Sequence, residues 1–118
     1  MRIEPWSMCC ALVLVAQIFT LNALPFEIVE PWDKAWHFLA YGALTLLLWI
    51  ATDGRRPVLV VAAVMLLGGV DELRQAWLPN RSADPLDFLA DLAAAFATAA
   101  CLGFFSRRKT PCAESSVR

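Results

Sequence analysis

Charge is scarce in this chain. Charged residues make up 18% of its 118 positions and hydrophobic ones 59%, whereas average soluble domains carry roughly 25% charge. That balance excludes an ordinary soluble domain and leaves room for one membrane domain. There is no CxxC pair and no zinc-type spacing, so the four cysteines build neither a metal ribbon nor a disulfide framework. Cys9, Cys10 and Cys101 lie in apolar stretches and Cys112 in the polar tail; a small apolar packing role is expected for them. No basic patch interleaved with aromatics occurs, and the isoelectric point of 5.7 argues against a nucleic-acid partner. Internal repeats and low-complexity segments are also missing.

What is present is four long apolar stretches, and these predict an all-α fold: a small polytopic bundle of transmembrane helices, with the lipid bilayer as its first partner. The expected spans are residues 6–24, 34–52, 57–77 and 86–105, followed by a disordered tail over 110–118. Pro25 should end the first span and Asp53-Gly54-Arg55-Arg56-Pro57 the second. Asp33 is expected as N-cap of the second span, and Asp84-Pro85 as N-cap and first residue of the fourth. A cleaved leader is the competing reading of the first stretch, but Leu21 at the −3 position suits it poorly.

The third and fourth spans are short in their clean parts. Residues 57–70 and 92–105 are fourteen each, or about 21 Å of helix against a hydrocarbon core of about 30 Å. Asp71, Glu72 and Gln75 on one side, and Asp87 and Asp91 on the other, must then dip below the headgroups. Such groups normally face a bundle interior and mark function. Arg2, Arg55, Arg56, Arg107, Arg108, Lys109 and Arg118 fall on one side of a four-span weave. The positive-inside rule therefore predicts cytoplasmic termini, and a polar end that faces the periplasm or exterior. On the fourth span, Ala90-Ala94-Thr98 and Ala93-Ala97-Cys101 form two small-residue rows suited to close helix approach.

The polar residues form a constellation. Asp33, His37 and Tyr41 are spaced i, i+4, i+8 and share a helix face, so Asp33 is the expected orienter of the imidazole. Glu72 and Gln75 are expected to point inward, with Asp71 and Arg74 a more solvated pair. Pro79-Asn80-Arg81-Ser82 has the residue types of a turn. The candidate catalytic residues are His37, Asp33 and Glu72. The candidate substrate-binding residues are Arg81, Gln75, Tyr41, Lys34, Asp87 and Asp91, with the planar fork of Arg81 available to Asp87, Glu72 or an anionic ligand. Ser82 is the one outward nucleophile, and nothing adjacent in sequence activates it. No spacing is diagnostic of a metal, so no residue is assigned as a ligand and no cofactor is named. Glu72, Asp87, Asp91 and His37 could nevertheless hold a divalent cation by donor type.

Two segments together resemble the VanZ-like family of small integral membrane proteins. They are Asp33-Lys34-Ala35-Trp36-His37-Phe38-Leu39-Ala40-Tyr41, and Asp71-Glu72-Leu73-Arg74-Gln75 followed by Pro79-Asn80-Arg81-Ser82-Ala83-Asp84-Pro85-Leu86-Asp87-Phe88-Leu89-Ala90-Asp91. Asn80 stands where the family more often has Gly, and Ala-rich sequence replaces a Gly motif after Asp91. The resemblance implies a multi-pass protein of the bacterial inner membrane and a link to glycopeptide (teicoplanin) resistance. It supplies no reaction. The function expected is an outward-facing site that binds or modifies a cell-envelope component, such as a lipid-linked or glycan headgroup. The alternative is a structural or scaffold protein whose polar cluster holds the helices together.

Overall fold

The computed structural model describes residues 4–21, 32–77 and 84–109. Within them the chain forms four helices and no strand: α1 (Pro5–Leu21), α2 (Trp32–Ala51), α3 (Pro57–Trp77) and α4 (Pro85–Lys109). Three of these helices begin with proline. A missing N–H costs nothing at the first helical position, and the fixed φ already suits a helix. Helix α3 covers the same residues, 57–77, as the stretch expected for the third span. The fourth helix runs on to Lys109, because Ser106-Arg107-Arg108-Lys109 contains no breaker. Asn22 to Leu24, Pro25 and the tail after Lys109 lie outside the described residues.

The start of α2 differs from expectation by one position. The helix opens at Trp32, so Asp33 sits inside the first turn rather than at the cap. There it accepts the Lys34 N–H at 2.8 Å. The other end of α2 is closed by backbone geometry. The Gly54 N–H donates to the Trp49 carbonyl at 2.9 Å and the Asp53 N–H to Ile50 at 3.0 Å, the bond pair of a Schellman motif. Asp53 and Gly54 hold φ of 56° and 66°, and a Cβ at Gly54 would lie 2.9 Å from Trp49 Nε1. Glycine is required there on both counts.

The bundle is built around the α2–α4 pair, whose two helices run parallel. Gly42 faces Ala94 and Thr98, and Gly103 faces Trp49. The small-residue row Ala90-Ala94-Thr98 is thus the one that packs, with Ala94 fully buried. The row Ala93-Ala97-Cys101 is exposed instead; α2 meets α4 along a single stripe, and the second row lies around the helix from it. Helix α1 lies against α2, where Ala11 and Ile18 join the core with Tyr41, Leu44 and Val64. Its C-terminal end is tied to α3: the Arg74 guanidinium donates to the Phe19 carbonyl and stands 4.6 Å above the Phe19 ring.

Polarity in this bundle is inverted relative to a soluble domain. Buried positions include His37, Thr45, Asp71, Gln75 and Asp91, while Leu12, Leu39, Val58, Leu66 and Leu73 are exposed. The expected packing role of the cysteines is overturned on the same ground. Cys9, Cys10 and Cys101 are exposed, because they lie on the apolar outer surface. By length and composition α2 and α4 are long and apolar enough to cross a membrane, whereas α1 is apolar but shorter. Helix α3 matches them in length but carries Asp71, Glu72 and Arg74.

Candidate functional site

The polar side chains converge at the end of the bundle where α2 and α4 begin and α3 finishes. Helix α2 contributes Asp33, Lys34, His37 and Tyr41 on one stripe, and the same stripe continues as Leu44 and Thr45 in the core. Helix α3 contributes Gly68, Asp71, Glu72 and Gln75. Helix α4 contributes Asp87 and Asp91, one turn apart. All lie on helices, so their positions follow from three packed backbones.

His37 is the centre. It is 4% exposed, and its Nδ1 lies 2.9 Å from Asp91 Oδ1. An ionised carboxylate can only accept, so Nδ1 carries the hydrogen and donates. The other nitrogen, Nε2, points at Asp87 Oδ2 from 3.8 Å, beyond hydrogen-bonding reach. The orienting acid is therefore Asp91, from a different helix, and not Asp33. The i, i+4 spacing puts Asp33 on the same face as His37, but Lys34 claims it, with Nζ 3.6 Å from Asp33 Oδ2.

Lys34 is the cation of the rim. Its Nζ reaches Asp84 Oδ2 at 3.2 Å and Asp87 Oδ1 at 3.4 Å, tying α2 to the start of α4. Behind His37 lies a second group. Tyr41 OH and Gln75 Nε2 donate to Asp71 Oδ2 at 3.5 and 3.3 Å, and Arg74 Nη2 stands 3.5 Å from Asp71 Oδ1. Asp71 was expected to be the solvated member of its helix; it has no exposed surface. The reason is that α3 touches both α2 and α4, so its buried stripe is wide enough to take positions 68, 71, 72 and 75 together. Arg74 does sit at the edge, a third exposed.

Glu72 bridges α3 to the start of α4 by accepting the Asp84 N–H at 3.1 Å through Oε2. Its Oε1 and Asp91 Oδ2 are buried without a hydrogen-bond partner among the described residues. Asp84 is the N-cap the sequence predicts: the Leu86 N–H donates to its Oδ1 at 2.9 Å. That bond, with help from Lys34, holds the half-buried Asp84 carboxyl below its ordinary pKa. A group whose folded pKa is depressed stabilises the fold above its unfolded pKa. That contribution is lost as pH falls through the folded value. Asp84→Ala is accordingly expected to lower the melting temperature in detergent at pH 7, and to lower it less at pH 3.

Of the expected site residues, the structure brings together Lys34, His37, Glu72, Asp87 and Asp91, and places Tyr41 and Gln75 on Asp71 behind them. Asp33 stands at the rim. Arg81, with Pro79, Asn80 and Ser82, lies outside the described residues. Gly68 was not foreseen as a site residue. A Cβ there would stand 3.0 Å from Asp91 Oδ2, so its lack of a side chain makes room for the carboxylate on His37. Comparison with known proteins adds no relative: no family model, no curated protein and no solved structure matches this chain.

Proposed function

We propose that this chain is a small polytopic membrane protein, similar to the VanZ-like family, whose polar end binds or modifies an amphiphilic cell-envelope component. In this reading all four helices cross the bacterial inner membrane, the termini are cytoplasmic, and the polar end faces the periplasm or exterior. The apolar outer surface and polar interior support membrane burial. Tryptophans support it too: Trp32 and Trp77 are exposed at the polar end and Trp6 at the opposite one, the placement of interfacial belts. Arg55 and Arg56 lie at the end opposite the acids, as do Arg107 and Arg108, which fits the positive-inside rule.

The observation that carries the ligand class is the double position of Glu72. It belongs to the polar cluster, and it also lines an apolar cavity of about 480 Å³ between α3 and α4, with Met65, Gly69, Leu73, Pro85 and Phe88. A second apolar cavity of about 320 Å³ continues down the same pair of helices and shares Met65. A groove that ends at a carboxylate cluster suits a molecule with an apolar tail and a polar head, such as a lipid-linked headgroup. The link to glycopeptide resistance follows only from the family resemblance.

The test is binding in nanodiscs, followed through tryptophan fluorescence or native mass spectrometry, with a polyprenyl phosphate and its water-soluble headgroup analogue as probes. Saturable binding of the lipid, at least tenfold tighter than the analogue and lost in Gly69→Leu, which fills the groove, is the expected result. Equal binding of both probes, or none, would sink the proposal. The structural alternative draws on the Lys34 and His37 ties between α2 and α4. It requires every substitution in the cluster to act through stability alone, so a stable His37→Ala that no longer binds lipid counts against it.

A further inference from the structure

We infer that His37, Glu72 and Asp87 form a binding site for one divalent transition-metal cation, with Asp91 as the group that aims the histidine. One potential donor atom from each of the three lies within 4.8 Å of the other two. They come from three different helices, α2, α3 and α4. Around a metal with ligand bonds of about 2.0–2.2 Å, donor atoms stand roughly 3 to 3.5 Å apart. Closing the group therefore takes a shift of about an ångström, within the range of carboxylate rotamers.

Three observations separate this group from a chance gathering of acids. The first is the histidine geometry. Asp91 occupies Nδ1 at 2.9 Å, which leaves Nε2 directed at Asp87 and without a hydrogen bond to it. A carboxylate on one imidazole nitrogen with the other left for a ligand is the usual outer support of a metal-bound histidine. The second is Glu72. The residue is 9% exposed, and its Oε1 has no partner among the described residues although burial makes an unpaired oxygen costly. A cation would satisfy it. The third is charge. Asp33, Asp71, Glu72, Asp84, Asp87 and Asp91 crowd one end of the bundle, and dense carboxylates repel unless a cation or shared protons intervene. Lys34 serves the outer edge, on Asp33, Asp84 and Asp87, and Arg74 serves Asp71. The inner part around His37, Glu72 and Asp91 is reached by neither in the contacts above.

The donor set names the class. One imidazole and two carboxylates suit Mn²⁺, Fe²⁺, Co²⁺ or Zn²⁺; an all-oxygen set would have favoured Mg²⁺ or Ca²⁺. The inference deepens the envelope-ligand reading and rests on it for its use: a cation here would turn an acid-lined pocket into one that attracts a phosphate headgroup.

Purified protein in nanodiscs, stripped with chelator, is titrated with Co²⁺, read by visible absorption and by metal analysis after desalting. The expected result is one cobalt per chain with a histidine-nitrogen signature in pulsed EPR of the Mn²⁺ form. His37→Ala, Glu72→Gln and Asp87→Asn should each lose at least tenfold in affinity, and Asp91→Asn about 10–100-fold, while Asp53→Asn at the other end of the bundle changes nothing. Circular dichroism and gel filtration establish that each variant is folded. No stoichiometric cobalt on the wild-type protein would overturn the inference, as would cobalt bound without a nitrogen signature. The lipid titration is run with and without metal. Cobalt bound but no lipid leaves the metal site standing and removes the envelope reading; lipid bound with no cobalt does the reverse.

Discussion

Asp91→Ala is expected to destabilise the bundle by about 1–3 kcal/mol, the cost of leaving a buried donor without its acceptor. Asp91 is 1% exposed and spans the α2–α4 contact to reach His37. Without the carboxylate, the imidazole Nδ1–H is left buried with no acceptor and the ring loses its fixed direction. The gap left at Asp91 adds a cavity term to the loss. Asp91→Asn keeps an acceptor oxygen and the shape, so it should cost far less stability while still weakening any function that needs a basic Nε2. A double-mutant cycle with His37→Ala, followed by thermal melts in detergent, isolates the pair. A coupling of 0.5–3 kcal/mol is expected, as for groups in direct contact. A coupling near zero would mean that Asp91 acts through packing alone, and that the site has no orienting acid.

That pair marks the boundary of what local spacing can reveal. Proline at the head of α3, the Asp84-Pro85 start of α4 and the glycine after α2 are punctuation within a few residues, and the helix ends follow them. Asp33 looked like the partner of His37 because i, i+4 is the one relation a single helix displays. The actual partner lies 54 positions away, and only the packing angle of α2 on α4 selects Asp91 from the acids that could have reached. The burial of Asp71 escapes local spacing for a related cause. The width of a buried stripe depends on how many neighbours a helix has, and α3 has two on its polar half. The cysteines and the second small-residue row were misplaced because an apolar stretch looks the same whether its surface meets protein or lipid.

The same limit explains why a glycine was overlooked, and it yields the second large expected effect. Gly68→Val is expected to destabilise the protein by about 1–3 kcal/mol, as overpacking does, and to abolish function together with Asp91→Ala. A Cβ at position 68 would lie 3.0 Å from Asp91 Oδ2 and 3.4 Å from Asp91 Cβ. Asp91 cannot retreat without giving up His37, since its other oxygen holds the ring. Helix propensity alone predicts the opposite sign, because glycine inside a helix costs roughly 0.5–1 kcal/mol relative to alanine. The two effects separate in an Asp91→Ala background, where the obstacle is gone and the added methyls fill the space the carboxylate left. There Gly68→Val should be neutral or stabilising. Melting temperatures of the four proteins in one detergent decide the matter. If Gly68→Val costs as much without Asp91 as with it, the glycine serves some contact other than this carboxylate. The three-helix junction at His37 would then owe its geometry to something else.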